Sequence, residues 1–192
     1  MKKKIAAGAV LALCISVMIY TTIAYFNTAD TARNVVTTGN IRIELQETAL
    51  VDDAEIPFEE SRDIYNVMPG QKVSKIVRVE NTGGEAAYIR VSVAQSIHLA
   101  EGASGTADPQ LVTLDYDSSR WTYGDDGYYY YNEPLAAGET TEALFRNVSF
   151  DPAMGNMYQD SKAVIKVSAQ AVQVKNNGSD VFTAAGWPDA EK

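Results

Sequence analysis

The chain has 192 residues, 46% of them apolar, with 25 acidic against 16 basic side chains and a net charge of −9. It is long enough to bury the core of a single domain, and its acidity, with no basic cluster beyond the first four residues, excludes a nucleic-acid partner. One histidine, His98, and one cysteine, Cys14, exclude an internal disulfide, a Cys-His dyad, a Cys/His zinc site and the HExxH helix of zinc peptidases.

Lys2, Lys3 and Lys4 precede an uncharged apolar run from Ile5 to Ile23. The run is long enough to anchor in a bilayer. Thr22 and Ala24, however, supply the small residues of an A-x-A-like cleavage site, so residues 1–24 read as a signal peptide cut between Ala24 and Tyr25. The membrane is then met only through the uncleaved segment. Leu11-Ala12-Leu13-Cys14 has the outline of a lipid-attachment box, but Leu13 is too bulky for it and the apolar run continues past Cys14. Cleavage leaves 168 residues without cysteine, and 13 basic against 25 acidic side chains give a net charge of −12. An exported domain without disulfides is held by its packed core or by partners.

Residues 25–40 form a mature N-terminal segment, 41–175 a β-sandwich domain, and 176–192 a polar C-terminal tail. Ile41, Ile43 and Leu45 alternate with Arg42, Glu44 and Gln46, the period of a half-buried strand. Residues 47–66 carry scattered acids and Pro57 without a period and read as a long acidic loop or irregular crossing. Pro69-Gly70 then opens a strand over 72–80. Asn81-Thr82-Gly83-Gly84-Glu85 reads as a hairpin loop, and the return strand runs over 87–97.

A loop at 100–109 leads to a strand at 111–116. Trp121 to Tyr123 and Tyr128 to Tyr131 flank Gly124-Asp125-Asp126-Gly127 as the arms of an aromatic hairpin. Ala137-Gly138-Glu139 opens the next strand, 140–150. In the last, 163–174, the apolar phase shifts near Ala171 and predicts a β-bulge. No sustained helical stripe occurs in the mature chain. About eight short strands punctuated by Gly and Pro indicate an all-β, antiparallel sandwich of jelly-roll or immunoglobulin-like type.

Thr21-Thr22-Ile23-Ala24-Tyr25-Phe26-Asn27-Thr28 followed by Val36-Thr37-Thr38-Gly39-Asn40-Ile41 resembles the TasA/camelysin-type exported proteins of Firmicutes. So do Met68-Pro69-Gly70 through Val79-Glu80-Asn81-Thr82-Gly83, Tyr88-Ile89-Arg90-Val91 and Asp126-Gly127-Tyr128-Tyr129-Tyr130-Tyr131. Leu135-Ala136-Ala137-Gly138-Glu139-Thr140-Thr141, Leu144-Phe145 and Val167-Ser168-Ala169-Gln170-Ala171-Val172-Gln173 complete the ordered set. The resemblance implies a jelly-roll sandwich exported to the surface or extracellular matrix of a Gram-positive bacterium, with a signal peptide cut by a SipW-type peptidase. Some members build biofilm fibres by inserting an N-terminal strand into the next subunit. Carried over here, the donor lies between Tyr25 and Val36 and bears Tyr25, Phe26, Val35 and Val36. Physically, an open sheet edge is satisfied by an extended segment of another chain. The same segment can also pair within its own subunit.

Camelysin-like members are described as metallopeptidases, and with His98 alone a zinc centre would need carboxylates almost exclusively, an unusual set for zinc. No catalytic residues and no cofactor are therefore expected. Asp115, Asp117, Asp125 and Asp126 could offer oxygen ligands to calcium, although an EF-hand loop is absent and turn acids are the simpler reading. The tyrosines of the aromatic hairpin suit either a glycan-binding surface module or cross-strand packing. The expected activity is structural, with self-association as the main partnership.

Overall fold

The computed structural model describes residues 26–28, 34–37, 41–58, 64–67 and 69–188. The predicted signal peptide, its cleavage site at Ala24 and Tyr25, and the last four residues lie outside them. Twelve strands run through the described residues: β1 (Phe26–Thr28), β2 (Asn34–Thr37), β3 (Ile43–Val51), β4 (Ala54–Pro57), β5 (Ile64–Val67), β6 (Lys72–Asn81), β7 (Ala87–His98), β8 (Val112–Leu114), β9 (Trp121–Tyr123), β10 (Tyr129–Tyr131), β11 (Phe145–Phe150) and β12 (Ser161–Gln173). They form two sheets. One has seven strands in the order β5-β1-β12-β7-β10-β9, with β2 also on β12; the other has five, β4-β3-β6-β11-β8. The all-β expectation holds, and pairing is antiparallel except where β1 and β2 lie parallel to β12.

Alternation explains which faces meet. Ile43 and Leu45 on β3, Val77 and Val79 on β6, and Phe145, Val148 and Phe150 on β11 join Ile89, Val91, Val167 and Ala169 of the facing sheet in one buried cluster. Each large side chain buried there contributes about 2 kcal/mol of transfer free energy. Among the inward positions that break the apolar rule are Glu47 and Lys75, each 3% exposed.

Four expectations are corrected. The described residues of 47–66 are mostly strand, not a loop or irregular crossing. They hold the end of β3, then β4 and β5. The β3–β4 turn is made by Asp52 and Asp53, both at positive φ (50° and 63°), the pair of left-handed residues that matches a two-residue hairpin to strand twist. Asn81-Thr82-Gly83 is not a hairpin either, since β6 and β7 belong to different sheets. The fully buried Asn81 instead locks a crossing between them. Its Nδ2 donates to the Glu85 and Leu135 carbonyls at 2.9 and 3.0 Å, and its Oδ1 accepts from Gly83 N–H. A Cβ on Gly83 would lie 2.9 Å from the Arg42 nitrogen, which requires glycine at this close approach.

The predicted bulge near Ala171 is absent, because β12 and β7 stay in register from Lys162↔His98 to Gln173↔Ala87. Apolar residues occupy both phases there because both faces are covered. The strand predicted over 140–150 begins only at Phe145. Thr140 makes an isolated bridge to Glu80, and the fully buried Leu144 hydrogen-bonds to the Val77 carbonyl outside a regular strand.

Candidate functional site

The N-terminal segment occupies a slot along β12. On one side β12 is paired with β7 over its length. On the other, Phe26–Thr28 align with Ser161–Ala163 and Asn34–Thr37 with Ser168–Ala171. β1 pairs on its far side with β5, Phe26 opposite Val67 and Thr28 opposite Ile64. It is thus an interior strand whose departure separates β5 from β12 and leaves β12 backbone groups unpaired. Such groups favour replacement by another extended segment. Of the four predicted assembly residues, Phe26, Val35 and Val36 fall in these strands, and Tyr25 lies outside the described residues.

A second opening flanks the other side of β7. Past Val91, β7 has no strand partner on its β10 side among the described residues. There a groove of about 480 Å³ runs between β7 and β8, lined by Val93, Gln95, Gln110, Thr113, Leu114 and Tyr116. Tyr116 stacks on Tyr129 with centroids 4.2 Å apart, and Tyr129 meets Tyr123 at 4.7 Å. Burial, then the hydrogen bond with Tyr129, pushes the Tyr116 hydroxyl pKa well up. Tyr131 packs inward against Trp121, and burial together with its hydrogen bond to Glu142 pushes its hydroxyl up to about 12.

The other tyrosine pair is not a free surface. Tyr130, with Tyr88 and Val172, is buried beneath residues 181–187 of the C-terminal segment, with Tyr128 packed alongside. Arg90 fastens this segment as a strap. Its guanidinium lies between the Tyr128 and Trp187 rings, 3.9 and 4.6 Å from their centroids. It donates to Gln170 Oε1 (2.8 Å), Asp126 Oδ2 (3.2 Å), Tyr130 Oη (3.3 Å) and the Pro188 carbonyl (3.2 Å). Asn177 closes the near end, donating to the Gln173 carbonyl and accepting from Ala185 N–H. The segment expected as a tail is therefore packed as far as Pro188. The only hint in the sequence was the apolar phase shift at Val172 and Val174.

Three of the four predicted calcium ligands have other engagements. Asp115 accepts from the Arg146 and Asn147 N–H groups and from Asn147 Nδ2. Asp117 caps Ser119, and Asp126 holds Arg90, Tyr130 and the Tyr128 N–H. Asp125 is exposed in the hairpin turn. For Asp115, burial pushes the carboxyl up, but its hydrogen bonds outweigh this and hold it below the ordinary 3.8. A lowered folded-state pKa contributes stability above the unfolded value and loses it as pH falls through the folded one. Asp115→Asn is therefore expected to lower the denaturation midpoint at neutral pH, with the gap to wild type closing below about pH 4 in a pH series of unfolding curves.

The site is that of a two-sheet β protein whose N-terminal strands complete its own sheet. Over residues 1–101 the chain matches the sequence profile of the family described as camelysin metallo-endopeptidase. More than half of the chain is matched, and it belongs to this camelysin/TasA family. No curated protein and no solved structure matches it.

The family's description implies a catalytic metal, which the described residues do not fit. Among them, no three His, Cys, Asp or Glu side chains come together closely enough to hold a metal ion. His98, exposed at the end of β7, has Nε2 3.3 Å from Ser96 Oγ. Among the described residues, no helix is long and apolar enough to cross a membrane.

Proposed function

We propose that this protein is an exported structural component of the cell surface or extracellular matrix of a Gram-positive bacterium, assembling head to tail by exchange of its N-terminal strand. One observation supports the reading: β1 fills an interior position between β5 and β12, and an identical segment of a neighbouring copy offers the same backbone groups to that position. Donation from each chain to the next is a heterologous contact that need not close, and so produces a filament. Cleavage after Ala24 would free the strand by leaving one residue ahead of β1. Electron microscopy of mature protein with a determined N-terminus tests this. Filaments are expected, and a preparation that stays monomeric at high concentration overturns it.

The family's description favours a second reading, a metal-dependent peptidase. It requires His98, the one histidine available as a ligand. In purified mature protein, His98→Ala is expected to leave thermal stability and any proteolysis of a casein substrate unchanged. Chelator-sensitive proteolysis abolished by this substitution would establish the peptidase instead.

A further inference from the structure

Glu47 and Lys75 are buried on the inward face of β3 and β6. Lys75 Nζ lies 3.2 Å from Glu47 Oε1, with the side chains 4% and 1% exposed. Phe58 covers the ammonium, its ring centroid 4.0 Å away. Glu47 sits opposite Val77 on the paired strands β3 and β6, so Lys75 is its diagonal neighbour on the same inward face. A buried ion pair is a poor source of stability, since desolvating two charges offsets their attraction and apolar residues of similar volume serve as well. What the arrangement does supply is an amine and a carboxyl held in contact away from water. Such an arrangement gives effective concentrations on the order of 10⁵ M or more when the orientation is right.

We propose that Lys75 and Glu47 condense to an intramolecular amide. Within the contact a proton passes from the ammonium to the carboxylate. The freed Nζ lone pair attacks Cδ, a C–O bond breaks, and one carboxyl oxygen leaves as water with two of the three Nζ protons. No oxidant or co-reactant is needed, and two buried charges become one neutral amide, which is cheaper to keep in the core. The bond ties β3 to β6 and closes a covalent loop around β4 and β5. That loop holds β5 in place even when β1 is not seated beside it. The proposal does not depend on strand exchange.

Intact mass spectrometry of the purified chain, referenced to its measured N-terminus, tests it. The expected mass is lower than the sequence mass by one water, about 18 Da. A tryptic digest is expected to yield a branched peptide joining the segments around Glu47 and Lys75, uncut after Lys75. Lys75→Met is expected to restore the full mass. A wild-type chain of full mass with separate peptides overturns the proposal. So does a deficit that persists in Lys75→Met, which would place the dehydration elsewhere, for example at Asp126-Gly127. If that variant does not fold, the wild-type mass and peptide map decide alone.

Discussion

A mature chain lacking residues 25–36 is expected to remain a soluble monomer under conditions in which the complete mature chain forms filaments. The deletion removes β1 and nearly all of β2, and with them the partners of β12 at Ser161–Ala163 and along most of Ser168–Ala171. It spares β7, whose register with β12 is continuous, and the core cluster, which takes most of its residues from β3, β6, β7, β11 and β12. The truncated chain therefore keeps an acceptor slot but has no donor. A synthetic peptide of residues 25–37 should bind it saturably and raise its melting temperature, because a ligand that binds only the folded state stabilises it by mass action. Light scattering and electron microscopy read the first outcome, and thermal scans with peptide read the second. Filaments that persist after the deletion would sink the donor assignment. Failure of the peptide to bind would show that the β12 slot is not the acceptor.

The sequence made the central strands legible because each has one buried face. Ile43 and Leu45, or Ile89 and Val91, alternate with polar residues, and register follows from the period. It misled where burial is two-sided. At Ala169, Gln170, Ala171 and Val172 the strand is covered on one face by the facing sheet and on the other by the strap, so the period vanishes there and imitates a bulge. The strap itself has no period. It is held by Trp187, Val181 and Ala184 at irregular spacings and by one arginine 91 places upstream of Val181. The Asp52-Asp53 turn is not legible in the sequence, because aspartate is a weaker signal than Asn-Gly for two successive left-handed residues. For the candidate site, the family resemblance pointed to residues 25–36, and the structure pairs Phe26–Thr28 and Asn34–Thr37 of that segment and its edge with β12 of the same chain. The slot it occupies depends on β12, which lies some 135 residues away in sequence, beyond the reach of any local pattern.

Replacing Arg90 by alanine is expected to cost about 3 kcal/mol, the scale for removing one member of a buried, hydrogen-bonded charge network. Its guanidinium is the centre of the strap. It is stacked between Tyr128 and Trp187 and donates to Gln170, Asp126, Tyr130 and the Pro188 carbonyl. Loss of the cation leaves the buried Gln170 amide oxygen without this donor and removes two ring contacts worth about 1 kcal/mol each. For a domain of this size the melting temperature should fall by roughly 10 °C. Arg90→Lys should not rescue it, because an ammonium has three donors for these four acceptors and no flat face to stack between the two rings.

Truncation after Lys175 should produce a similar fall and expose Tyr88, Tyr130 and Val172, seen as new binding of an apolar dye. The decisive measurement is the combination. If Arg90 acts by holding the strap, the truncated Arg90→Ala chain should be little less stable than the truncated chain alone, since both changes remove the same unit. Additive losses would mean that Arg90 stabilises the seven-stranded sheet independently of the strap. Limited proteolysis supplies the independent readout. Cleavage within 177–188 should be fast in full-length Arg90→Ala and slow in wild type, because access to a protease follows the population in which the strap is released.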